Sequence, residues 1–67
     1  MDFKGYRATN RISQENVAKL LKITQSAYSK KESNPDSFKP SELKNIALSY
    51  KINIDELYMM LGIWLNV

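Results

Sequence analysis

The sequence predicts an all-α fold, a compact set of five short helices that takes in residues 1–67 as one domain. Apolar residues recur at helical spacing, with Leu43, Ile46, Ala47 and Tyr50 at i, i+3, i+4 and i+7, whereas strand-type alternation never lasts beyond a few residues. Polar residues suited to opening a helix precede several of these runs, and only two glycines and two prolines break the chain.

The first helix is expected over Phe3 to Thr9, turning Phe3, Tyr6 and Arg7 inward. Asn10 is its expected left-handed stop, since few residues besides glycine tolerate positive φ. Ser13 reads as the N-cap of a second helix, with Gln14 and Glu15 beside the positive end of the helix dipole. Val17, Ala18 and Leu21 then share one face. After Lys22-Ile23, Thr24 offers another N-cap, and Gln25 to Glu32 forms a third helix buried through Ala27 and Tyr28. Two helices joined by so few residues must cross steeply, which is a helix-turn-helix arrangement. From Ser33 to Lys39 runs a polar loop anchored by Phe38. Pro40 suits the first position of a fourth helix, where its missing N–H costs nothing. Asn53, with Glu56 three residues on, forms a capping-box-like start to a fifth helix that carries Leu57, Met60 and Leu61 and ends at Gly62.

Composition narrows the function. With no cysteine and no histidine, the usual zinc ligands, disulfides and the commonest general base are all missing. The carboxylates are scattered and no Gly-rich phosphate loop occurs. Neither an enzyme nor a metal or other cofactor is expected. A net charge of +3 leans mildly towards a polyanionic partner. Asp2, Lys4 and Arg7 interrupt any apolar run of the signal-peptide kind, and no stretch reaches the roughly 18 apolar residues of a membrane span. A cytoplasmic binding module is the class expected, with no membrane and no small-molecule substrate.

Residues 14–32 carry the chemistry. Where two such helices approach, a small residue is needed, and Ala18 supplies it. Val17, Leu21, Ile23, Ala27 and Tyr28 give the apolar flanks. Short polar side chains must then face outward at the start of the second helix of the pair to reach base edges. Gln25, Ser26 and Ser29 meet that need, with Lys30 one turn on.

In these features the sequence resembles the lambda-type repressor and Cro group of helix-turn-helix proteins, found in phage and bacterial regulators. The residues that carry the likeness are Arg7, S-Q-E-N-V-A at 13–18, I-T-Q-S-A-Y-S-K-K-E at 23–32 and K-N-I-A-L-S-Y-K-I-N-I-D-E-L at 44–57. The resemblance implies a lambda-repressor-like DNA-binding domain whose third helix reads double-stranded DNA. By it, Gln14 touches a phosphate from the end of the second helix and Thr24 lies near the backbone. Gln25, Ser26 and Ser29 face the major groove, and Lys30 reaches bases or flanking phosphates. Gln suits adenine and Lys suits guanine O6 or N7. Asn34 falls in the loop where phosphate is met through the main chain, and Arg7 is implied to pair with Glu32.

Two positions depart from that pattern. Lys22 stands where glycine is usual, so a left-handed conformation there costs roughly 1 kcal/mol. Lys31 stands where an apolar residue is usual; its stem is expected to pack while its ammonium escapes to solvent or phosphate.

The apolar tail at 59–67 reads either as core packed on Phe3 and Tyr6 or as an association surface. Ile63, Trp64 and Leu65 come consecutively and cannot all bury against one helix, which makes them the expected interface anchors. The resemblance then implies a Cro-like repressor: a homodimer placing two recognition helices in successive major grooves, with half-sites about 34 Å apart on a two-fold operator. Two readings stay open beside it. One is a modulator or antirepressor that keeps the fold and binds a partner repressor. The other is the DNA-binding piece of a longer repressor.

Overall fold

A computed structural model describes residues 2–63. In chain order it holds α1 (Phe3–Thr9), α2 (Gln14–Leu21), α3 (Gln25–Ser33), α4 (Pro40–Tyr50) and α5 (Ile54–Leu61), with a short 3-10 turn (Pro35–Ser37) between α3 and α4. No strand occurs among the described residues, so the fold is all-α as the helical spacing requires. The third helix runs one residue further than expected, and the polar loop after it is partly wound.

The starts of α1, α2, α3 and α5 each find a side-chain acceptor for a free N–H group. Asp2 Oδ1 accepts from Gly5 N–H at 2.7 Å and opens α1. Ser13 Oγ accepts from Asn16 N–H at 3.0 Å while Asn16 Oδ1 accepts from Ser13 N–H at 3.1 Å, a reciprocal box with asparagine in the place of Glu or Gln. Thr24 Oγ1 accepts from Ala27 N–H at 3.1 Å. At α5 the expectation is corrected. Asn53 Oδ1 accepts from Asp55 N–H at 2.9 Å, and Glu56 stays exposed instead of closing a box with Asn53.

The helix ends share one device. At α1, α2, α4 and α5 a residue with positive φ (Arg11, Lys22, Lys51 and Gly62) is followed by isoleucine. The N–H of each isoleucine donates to a carbonyl five residues back: Ile12 to Arg7 at 2.8 Å, Ile23 to Ala18 at 3.0 Å, Ile52 to Ala47 at 2.9 Å and Ile63 to Tyr58 at 3.0 Å. This is the Schellman arrangement, in which the residue after the left-handed one packs back on the helix. All four isoleucines are half-buried against the core. Lys22 takes φ 60°, as its place in the turn required. Asn10 does not take the left-handed role expected of it. Its φ is −98°, and Arg11 at 56° turns the chain one residue later. Asn10 Nδ2 donates to the Tyr6 carbonyl at 2.8 Å instead, and the later turn is the one that brings Ile12 to the core. Three basic residues thus carry conformational strain, eased by lying at the negative end of a helix dipole.

α3 ends otherwise, because Asn34 precedes Pro35 and is pushed out of the helical region to φ −132°.

The five largest fully buried side chains are Phe3, Val17, Tyr28, Ile46 and Leu57, one from each helix. Each contributes on the order of 1.5–3 kcal/mol by leaving water. Ala18 is buried in α2, and Phe38 seals the base of the loop at 6% exposure. Tyr28 alone anchors α3 in the core; Ala27, expected to share that role, is only half-buried. The face of α3 opposite Tyr28 is left to solvent.

Candidate nucleic-acid interface

At about 100° per residue, α3 carries Gln25, Ser29, Ser33, Ser26 and Lys30 on one outward arc of roughly 140°, and Tyr28, Lys31 and Glu32 on the inward side. Gln25, Ser26 and Lys30 are exposed and Ser29 is half-buried. No carboxylate and no large apolar group interrupts that arc. Gln14, the first residue of α2, lies alongside, and Gln14, Gln25, Ser26 and Ser29 line one shallow cleft of about 370 Å³. Four of the side chains singled out in the sequence therefore meet on one surface.

Behind the arc, a hydrogen-bonded cluster fixes α3 to α1 and α2. Arg7 Nε donates to Glu32 Oε2 at 2.8 Å, and Arg7 Nη2 donates to Glu32 Oε1 at 2.7 Å, a bidentate pair. The Tyr28 hydroxyl donates to Oε2 at 2.6 Å and Gln14 Nε2 donates to Oε1 at 3.2 Å. Glu32 thus accepts four bonds, and Arg7 Nη1 donates to the Ile12 carbonyl at 3.1 Å. Burial alone would raise the Glu32 carboxyl, but the bonds from Arg7, Tyr28 and Gln14 outweigh it and hold the group below its usual range. Burial, then the bond to Glu32, pushes the Tyr28 phenol well above its ordinary value. Gln14 consequently has a fixed orientation at the edge of the cleft.

The remaining sites are placed as follows. Thr24 is exposed at the start of α3, its hydroxyl accepting the cap bond from Ala27. The Asn34 N–H donates to the Lys30 and Lys31 carbonyls at 3.0 and 3.1 Å. Its own carbonyl accepts from Ser37 N–H at 2.9 Å and Ser37 Oγ at 2.7 Å. The main-chain route to phosphate implied at Asn34 is therefore already engaged, and its exposed side-chain amide is what it offers. Lys31 also corrects the expectation. Its ammonium does not escape to solvent but donates to the Ser37 carbonyl at 3.1 Å and pairs with Glu42 Oε1 at 3.1 Å. Ile63, expected at an interface, is half-buried on its own core as the residue that closes α5. Trp64 and Leu65 lie outside the described residues.

The exposed aliphatic groups that sequence reasoning passed over are Leu48 (69% exposed) and Ile54 (41%), beside a groove of about 470 Å³ that Ile52 and Tyr58 also line. Leu48 falls off the Leu43–Ile46–Ala47–Tyr50 stripe, which was the available signal. Among the described residues no helix is long and apolar enough to cross a membrane.

A family model described as helix-turn-helix matches residues 4–57, from α1 into α5. No curated protein and no solved structure matches the chain.

Proposed function

The chain belongs to the helix-turn-helix family of DNA-binding transcriptional regulators, and from that premise we propose that it is a Cro-like repressor acting as a homodimer. The observation that supports this is the outward arc of α3, polar and free of carboxylate, bordered by the oriented amide of Gln14. In this reading α3 enters the major groove. Gln25 reads an adenine through its amide, Ser26 and Ser29 approach neighbouring base edges, and Lys30 reaches guanine or a flanking phosphate. Gln14, Thr24 and the Asn34 side chain lie towards the phosphates. One such helix reads only a few base pairs, so a second subunit on a two-fold operator supplies the missing affinity. Trp64 and Leu65 belong to the association surface in this proposal.

The test is a mobility-shift titration of the DNA flanking its own gene, run with a mass measurement of the free protein. Specific binding by a dimer supports the repressor. A monomer silent on DNA overturns it in favour of a modulator that binds a partner repressor. Deleting residues 64–67 should lower the dimer fraction and operator affinity together while the helical signal persists.

A further inference from the structure

Lys31 sits where three elements meet. It leaves α3 on the inward side, and its side chain is only 18% exposed. The ammonium lies 6.0 Å from the centre of the Phe38 ring, donates to the Ser37 carbonyl at 3.1 Å and pairs with Glu42 Oε1 at 3.1 Å. That same Oε1 accepts from Lys39 N–H at 2.8 Å, at the start of α4. The Glu42 side chain is 13% exposed. Burial would raise its carboxyl, but the Lys39 N–H and the Lys31 ammonium outweigh that and hold it below the usual range.

Two consequences follow from the chemistry. A lysine charge neutralised within the fold, 3.1 Å from a carboxylate, releases few counterions from a DNA phosphate. The ammonium also ties the turn after α3 to both flanking helices at once, through Ser37 and through Glu42. Lys30, one residue earlier, is exposed and on the outward arc. Two adjacent lysines therefore have different occupations.

We propose that Lys31 is a positioning residue and not a phosphate contact: with Glu42 it clamps the segment 34–39 and so sets where Asn34 and Lys39 stand beside the recognition helix. The proposal rests on the reading of α3 as the DNA-binding helix. Glu42, on a different helix, thereby becomes a determinant of affinity without touching DNA.

The test uses Lys31→Met, which fills the space with an apolar stem, Lys31→Arg, Glu42→Gln and, as control, Lys30→Met. Binding to a labelled mixed-sequence duplex is followed by anisotropy between about 50 and 200 mM salt, the range over which phosphate contacts declare themselves. Lys31→Met and Glu42→Gln should each weaken binding by about threefold to fivefold at every salt concentration, in line with a partly exposed pair. The double variant should be no weaker than either single one, and Lys31→Arg should restore affinity. The slope of log K against log salt should not change in Lys31→Met. A slope lowered by about one in Lys31→Met, or losses that add in the double variant, overturns the clamp. Amide exchange at Ser37, Phe38 and Lys39 decides it without DNA. Those amides should exchange about fivefold faster in Lys31→Met and be unchanged in Lys30→Met. Unchanged exchange in Lys31→Met also overturns it. If the wild-type chain binds no duplex, the DNA reading fails and exchange alone decides the clamp.

Discussion

Arg7 and Glu32, 25 residues apart in sequence, are joined by two parallel hydrogen bonds of 2.8 and 2.7 Å, with their side chains 9% and 11% exposed. Such a pair lies closer to the buried limit than to the surface one. Breaking it from one side leaves a desolvated charge, so Glu32→Ala should lower unfolding free energy by about 2–4 kcal/mol, against ~0–1 for a surface pair. Replacing both partners with methionine should cost less than the two single changes added together. Urea titration of the three variants measures this, and a Glu32→Ala protein of unchanged midpoint would sink the idea.

Acid should loosen the same cluster. The Glu32 and Glu42 carboxyls are both held below their ordinary value of 4.5 in the fold. Their contribution is therefore complete above pH 4.5 and is lost as pH falls through the lower, folded values. The thermal midpoint should stay flat from neutrality to about pH 5 and drop below it. Glu32→Gln and Glu42→Gln should each flatten that drop while lowering the plateau. A plateau that instead begins to fall at neutral pH would point to other groups.

On DNA the outward arc should divide by role. Gln25→Ala should relax preference at one half-site position by roughly 1–3 kcal/mol and leave the salt dependence unchanged. Lys30→Ala should lower affinity, with the salt slope showing whether base or phosphate is its partner. A binding selection with each variant reads both effects. Indifference to both changes would mean that α3 is not the reading surface.

The helix starts were legible because a cap is a local bargain between one side chain and an N–H two or three residues on: Ser13 and Thr24 need no distant partner. Four of the polar residues that line or border α3 were legible from spacing together with the resemblance. What was not legible depended on the rest of the molecule. Asn10 is intrinsically the better left-handed residue, yet the turn falls on Arg11 because Ile12 has to reach both the core and the Arg7 carbonyl. A basic residue or glycine followed by isoleucine, at 11–12, 22–23, 51–52 and 62–63, was the signal that would have marked all four ends. Lys31 was misplaced because its partner, Glu42, lies on another helix and across a turn. Charge pairing at that distance leaves no local pattern.

The strain at the turns is measurable. A left-handed non-glycine residue costs about 1–2 kcal/mol, while glycine loses about 0.5–1 kcal/mol through the entropy of the unfolded chain. Lys22→Gly should therefore raise stability by a net ~0.5–1 kcal/mol, and Lys51→Gly by a similar amount. Chemical denaturation provides the comparison. Destabilisation in both variants would show that the lysine charges at the helix ends outweigh the strain.

The Arg7–Glu32 pair also implies an order of assembly. α1 has seven residues, well short of the ~12–15 an isolated helix needs to hold its shape in water. Its N-cap at Asp2 and its buried Phe3 give it too little to persist alone. Its ionic partner, moreover, comes into position only when the last turn of α3 has formed. The crossing of α2 and α3, neighbours in sequence, needs only a short loop closed, and it sets Glu32 where Arg7 reaches it, while α1 packs against the distant α5. The N-terminal helix is thus expected to settle after α2 and α3 have crossed, an order that amide protection during refolding would read.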